Sequence, residues 1–396
     1  MKRILKIPLA FIAAIFLIFV FQMLPKDNKI QIKSNSENRN AELMFKGLEN
    51  ARDFTMDEQG NYYIAFKNKV QIISPTGKSY VLFQMPNINI FSICSDKNKL
   101  YYSSDNKIFY FDLNSRQNTE IINDLPNYGD YNQSILKING ENLFITIGAA
   151  TNSGVVGNDN IWKENNPYFH DIMPILITLK GMNFGTEKTG AFQSYKTSSS
   201  KGQIVSPHFP GNASILKYNI KTGERDTFAS GIRNIKGMDF TTEGKVAATV
   251  GGMENRGLRP ILGDSDYIYE IEKGIWYGWP DYSGGDPIDC PRFKGKNGSK
   301  LNTVLENHPN TNPPGPRYQS NSVDELGELA VDRAGIIGDK NTIYFYKKGN
   351  IYSLDKKNIV KEEFILPGSN NCRIKFYNNC LIILDNKGNI FSIKSI

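Results

Sequence analysis

The sequence predicts an all-β fold, and three observations predict it. Short runs of alternating apolar and polar residues recur along most of the chain, separated by Gly, Asn and Asp turns. Aromatic residues make up 12% of the chain, with 20 Tyr and 23 Phe, which suits pleated sheets better than helices. After the first 44 residues no stretch carries a helical period of apolar positions. The runs come in about six pairs, spaced about forty residues apart where no loop intervenes. That is the repeat of a six-bladed β-propeller, each pair reading as the last two strands of a four-stranded blade.

The chain opens with MKRILKIPLAFIAAIFLIFVFQML, a basic start and then an apolar run from Ile7 to Leu24. The run is about as long as a bilayer core requires of a helix. Its exit, Phe19-Val20-Phe21-Gln22-Met23-Leu24-Pro25, is too bulky for a small-x-small cleavage site. Residues 1–24 are therefore expected to be an uncleaved transmembrane signal-anchor, with Lys2, Arg3 and Lys6 inside and the rest outside the cytoplasm. Secretion after signal cleavage is the alternative. Residues 25–44 are polar and read as a tether.

The propeller is expected over 45–396. Its strand pairs lie at 61–77, 100–115, 143–148 with 215–223, 245–252 with 266–274, 342–357 and 381–395. Three long inserts interrupt them, at about 151–211, 251–265 and 284–326. Long loops in a compact repeat fold are usually functional, so all three are expected to gather on one mouth. The four cysteines form no CxxC and no zinc spacing. Cys372 and Cys380 could face each other on neighbouring strands, and their pairing stays open. The net charge of +7 is spread among scattered lysines, with no basic stripe, so nucleic acid is not an expected partner. Dinucleotide, P-loop, HExxH and CxxC motifs are absent, and oligomeric state is not legible.

One stretch, 231–285, organises the functional reading. It contains GIRNIKGMDF, then MENRGLRP, then DSDYIYEIEKGIWYGWPDYSGG. This ordered pattern resembles the glucose/sorbosone dehydrogenase-like family of quinoprotein six-bladed β-propellers. The resemblance implies oxidation of a sugar or sugar-derived aldehyde by pyrroloquinoline quinone (PQQ), with calcium assisting. Arg233 and Asn234 match the pair that contacts the quinone in the family, and a guanidinium suits a carboxylated ligand. Asn152 lies in a glycine-rich turn, 148–154, that the family places at the mouth. The loop with Glu254, Arg256, Arg259, Asp264 and Asp266 resembles the family's metal- and cofactor-adjacent segment. It offers Arg256 and Arg259 to the cofactor, and Glu254, Asp264 and Asp266 to calcium. Each of these residues also has a plain structural reading, as a turn, an ion pair tying blades together or a solvated loop. Trp276, Tyr277 and Trp279 read as core.

A dehydrogenase of this kind needs a base for the hydroxyl proton. The family's histidine position falls on Tyr131 or its neighbours, where no His stands. Gly263-Asp264-Ser265 echoes a hydrolase motif, but Pro167, Val205 and Leu305 precede the three histidines where an Asp is required. Three readings follow. The first is a membrane-anchored, extracytoplasmic sugar dehydrogenase-like propeller using PQQ and calcium. The second is a non-catalytic propeller binding a glycan or envelope component. The third is a calcium-dependent lactonase-like hydrolase.

Overall fold

The computed structural model describes residues 32–36 and 38–395. Six sheets of four or five strands follow one another along the chain. The first uses Asp53–Met56, Tyr62–Ala65, Lys69–Ile73 and Ser79–Gln84, and the second Ile90–Asp96, Lys99–Ser104, Lys107–Asp112 and Asn118–Ile122. The third uses Leu136–Asn139, Asn142–Ile147, Ser214–Asn219 and Arg225–Ser230. The fourth uses Ile235–Phe240, Val246–Val250, Tyr267–Ile271 and Tyr318–Gln319. The fifth starts at Leu326–Asp332 and the sixth at Cys372–Tyr377. The first strands of the six sheets touch in turn, and the sixth touches the first, so the ring closes around a channel. This is an all-β, propeller-like architecture.

Alternation explains the packing. All four residues of Tyr62–Ala65 are buried, yet they serve two different cores. Tyr62 and Ile64 pack on the sixth sheet, while Tyr63 and Ala65 pack on the second. Each interface between consecutive sheets has such a cluster, for example Phe144, Ile215 and Phe228 against Met238 and Phe240. Sheets buried on both faces need apolar residues at both phases of the period, which makes the middle strands near-continuous apolar runs.

That fact corrects the placing of the strand pairs. They are the second and third strands of each sheet, not the last two. The innermost strands border the channel and the outermost border solvent, so both carry polar residues that blur the period.

The tether expected over 25–44 is corrected where it is described. Lys33–Ser34 pairs with Val360–Ile365 at the edge of the fifth sheet. Arg39–Phe45 pairs with Ile390–Ser395 and supplies the fourth strand of the sixth sheet. Ile390–Ser395 would otherwise present an open edge beside the ring closure. The strand mixes polar and apolar residues, and its exposed positions include Leu43 and Met44 as well as Asn40 and Glu42. The expected transmembrane segment, 1–24, lies outside the described residues. Among the described residues no helix is long and apolar enough to cross a membrane.

The inserts do gather. Ile177–Lys180 pairs with Lys201–Val205 of the first insert and with Leu305–Asn307 of the third. Val155 and Phe192, Met253 and Ile261, and Phe293 and Val304 bring all three inserts into one core with Trp276 and Trp279. The first two inserts leave from Ile147 and Val250, beside the starts of the innermost strands, and so stand on that mouth of the channel. Residues 284–326 are not insert throughout, because Tyr318–Gln319 is the outer strand of the fourth sheet. It is too short to show a period. Cys372 lies opposite Asp385 and Cys380 opposite Tyr377, at the two ends of one hairpin, so this register holds them apart, and both thiols are free.

If Arg39–Phe45 closes the ring, a chain beginning at residue 46 should melt several degrees below one beginning at residue 32. Hydrogen exchange should show the loss first at Ile390–Ser395. Equal melting temperatures would remove the strand from the closure.

Candidate functional site at the channel mouth

The residues expected to hold the quinone converge, but on one another. Arg233 follows the outer strand of the third sheet and is 3% exposed. Its Nη2 donates to Asn152 Oδ1 at 2.9 Å and to Glu254 Oε1, and its Nε donates to the Asn152 carbonyl at 3.1 Å. Its guanidinium lies 4.3 Å from the Tyr131 ring centroid and also donates to the Tyr131 hydroxyl. Tyr131 in turn donates to Glu254 at 2.7 Å. Arg256 completes the cluster, donating to Glu254, Asp159 and Asp130 at 2.7 Å each and to Tyr131 at 2.8 Å.

Burial pulls the Arg233 pKa down to about 10, with Glu254 opposing, so the guanidinium stays charged at neutral pH. Burial also lowers Arg256, but Asp130 and Glu254 outweigh it and hold it above the usual range. A buried guanidinium whose donors are satisfied by carboxylate, carbonyl and amide oxygens is an internal tie. Here it joins the turn after Asn142–Ile147 to the second insert.

The turn itself is built for close approach. A Cβ on Gly148 would sit 2.4 Å from the Tyr131 carbonyl oxygen. The Asn152 amide donates to the Glu254 carbonyl at 2.8 Å, and its Oδ1 accepts from Glu254 N–H at 2.8 Å. Asp171 anchors the turn from the first insert by accepting from Ala150 N–H and pairing with Thr151.

The expected calcium ligands are not brought together. Glu254 is held by the two arginines. Asp264 accepts from Met253 N–H, Ser265 N–H, Tyr267 and Ser283. Asp266 accepts from Gly252, Glu325 and Leu326 N–H groups and from Lys236. Among the described residues no group of three or more His, Cys, Asp or Glu side chains converges to hold a metal. N–H, O–H and guanidinium donors already fill these oxygens, so the donor set does not fit calcium. Arg259 is likewise structural, donating to Asp281, Ser153 O, Pro280 O and Asn302 O. Trp276, Tyr277 and Trp279 are buried core, as expected.

Of the predicted residues only Asn234 lines the large cavity at this mouth. The cavity measures about 580 Å³ and lies where the innermost strands begin. Lys236, Lys348 and Arg373 supply three cations to its wall, and Gln133, Asn370 and Asn371 supply further amides. Lys236 Nζ bonds Asp266 at 3.1 Å and Asp324 at 3.0 Å. Lys348 bonds Glu325 at 2.8 Å. Arg373 donates to Glu328 at 3.1 Å and to the Arg52 carbonyl at 2.8 Å, and lies over Phe91. Each of the three keeps at least one N–H without a partner among the described residues. Burial pushes the Glu325 carboxyl up, but Lys348, Ser322 and Asn321 N–H hold it below its usual range. No motif in the sequence marks Lys348 or Arg373. Lys236 was the findable one, two residues after Asn234 at the start of an innermost strand.

No family model matches the sequence, and no curated protein matches it. Solved structures do. The calcium form of a carbohydrate-active enzyme of family AA12 from Trichoderma reesei superposes with a TM-score of 0.63 at 13% identity, over 93% of this chain and 98% of that one. The holo PQQ domain of pyranose dehydrogenase from Coprinopsis cinerea gives 0.60 at 11% identity, over 92% and 97%. The apo soluble aldose sugar dehydrogenase from Escherichia coli gives 0.59 at 12% identity, over 90% and 100%. The chain shares the fold of these structures. At such identities the likeness is one of fold.

In this propeller all three histidines lie in the insert layer or at its base. His170 and His208 donate to the Asp171 and Pro210 carbonyls, and His308 bonds Asp281 at 3.0 Å. None lines the mouth cavity.

Arg233→Ala should lower stability by about 1–3 kcal/mol, because it breaks the buried bonds that tie the Asn152 turn to Gly251 and Glu254, although Arg256 and Tyr131 still hold the Glu254 carboxylate. Urea unfolding reads this, and an unchanged midpoint would refute the tie. Burial raises the Asp171 carboxyl to about 7. An unfolded Asp titrates near ~4. Its contribution is therefore full below about pH 4 and is lost as pH rises through about 7. Asp171→Asn should flatten the fall in melting temperature across that window, and a parallel fall would contradict it.

Proposed function

We propose that the protein is a sugar dehydrogenase-like, six-bladed propeller that binds PQQ at the mouth cavity and oxidises a sugar there. The observation that carries this is the cavity wall. Three cations with donors to spare and four side-chain amides surround a space of about 580 Å³. That donor set fits a planar ligand bearing several carboxylates. Lys236, Lys348 and Arg373 would hold the carboxylates, with Asn234, Asn370 and Asn371 orienting the ring edge and Phe91 and Tyr346 supplying flat walls. When bound, the quinone supplies the two-electron acceptor for the sugar's hydride. The hydroxyl proton needs a base on the chain. The wall offers the carboxylates Asp324 and Glu325. Glu325 is buried and engaged by Ser322 and Lys348, whereas Asp324 is largely exposed and held in place by Lys236. Asp324 is the group placed to accept that proton. Calcium is no part of the proposal, since the expected carboxylates are otherwise engaged.

The second reading is a binding propeller without turnover. What favours it is the position expected for the base, where the Tyr131 hydroxyl is locked between two guanidinia and Glu254. We place the protein at the membrane through residues 1–24 with the propeller outside the cytoplasm, as the apolar run and its basic flank suggest.

The test is a PQQ titration of the full chain in detergent, followed by absorbance. Saturable binding should weaken about tenfold in Lys348→Gln, the loss of one charge-assisted contact. Folded Arg233→Ala should bind as the parent does. No saturation, or an unaffected Lys348→Gln, would overturn the site. Binding without sugar turnover in an acceptor-dye assay would leave the second reading.

A further inference from the structure

The channel has a second end. The innermost strand Cys372–Tyr377 places Arg373, Lys375 and Tyr377 on one face, two residues apart. Arg373 lines the mouth cavity. Lys375 and Tyr377 line a different cavity, of about 530 Å³, where the innermost strands finish. Lys137, Asp239 and Arg333 line it too, Lys137 from within the short strand Leu136–Asn139, Asp239 near the end of Ile235–Phe240 and Arg333 just beyond Leu326–Asp332. Between the two ends the channel holds the pairs Arg373–Glu328 and Lys375–Asp53. The buried Lys375 ammonium also donates to the Phe54 and Ile93 carbonyls.

The far cavity is rich in unmatched donors. Lys137 and Arg333 have no side-chain partner among the described residues, in contrast to Lys375. The exposed Asn378 and Asn379 line it as well. The single carboxylate on the wall, Asp239, already accepts from Phe240 N–H at 2.9 Å and Val331 N–H at 2.9 Å. Tyr377 is spent on Thr55 at 2.8 Å. Burial disfavours the Lys137 charge, but Asp239, Glu328, Tyr377 and Asp53 more than offset it, so the ammonium stays protonated at neutral pH. Open cationic donors around a roomy, water-accessible cavity select an oxyanion.

We propose that this far cavity is a second binding site, separate from the mouth, for a small organic oxyanion gripped by Lys137 and Arg333. A carboxylate or a phosphate group would satisfy the same donors. Arg333 can take two oxygens side by side, and Lys137 gives a point charge deeper in the channel. The site does not depend on the quinone reading, because no residue of its wall belongs to the mouth cavity.

Calorimetric titration of the full chain in detergent at low salt tests this, with citrate, glycerol 3-phosphate and neutral sorbitol as probes. Citrate or glycerol phosphate should saturate with a dissociation constant at or below about 1 mM, and sorbitol should not bind. The tighter of the two anions identifies the group preferred. Lys137→Met should weaken binding about tenfold and the exposed Arg333→Gln about fivefold, while Lys348→Gln at the mouth leaves it unchanged. Arg333→Gln serves alone should Lys137→Met not fold. Absence of saturation with both anions, equal binding of sorbitol, wild-type affinity in Arg333→Gln, or loss of binding in Lys348→Gln would each overturn the proposal.

Discussion

Closure of the ring is the constraint from which the rest follows. Every sheet buries both faces against its neighbours, so apolar residues are used up between sheets. The innermost strands then border a channel that no further sheet can fill. Their channel-facing positions carry Lys137, Lys236, Glu328, Arg373 and Lys375, and these must pair with one another, with backbone carbonyls or with a ligand. The fourth strand of the last sheet is Arg39–Phe45, from ahead of the first sheet in the chain. A segment with no clear period thus becomes structural by topology.

The same logic separates two kinds of charge at the mouth. Arg233 and Arg256 serve the joint between the third sheet and the inserts, and their donors are spent on Glu254, Asp130, Asp159 and Asn152. Lys236, Lys348 and Arg373 stand on the channel side and keep donors for a partner. The insert layer carries its own core, and all three histidines lie in it or against it, away from the mouth cavity.

Much of the fold was legible. Strands such as Tyr62–Ala65 and Thr342–Lys347 announced themselves because burial on both faces forces a near-continuous apolar run between turns. Strands such as Leu136–Asn139 and Tyr318–Gln319 did not, because one is channel-lined and the other spans two residues. The site was half legible. Motif likeness brought Tyr131, Asn152, Arg233, Glu254 and Arg256 to one place, and the structure does assemble them. A motif cannot show whether a guanidinium faces a ligand or a neighbouring carboxylate, and here the carboxylates won. Lys348 and Arg373 come from sheets far along the chain, so only ring closure puts them beside Asn234.

The central claim is that the motif arginine ties the fold while the channel-side cations hold the ligand. The most direct measurement is a crystal structure of the protein soaked with PQQ. The account predicts density in the mouth cavity against Lys236, Lys348 and Arg373, with Arg233 still bonded to Glu254 and Asn152. Density in contact with Arg233, with its pairing to Glu254 broken, would contradict it.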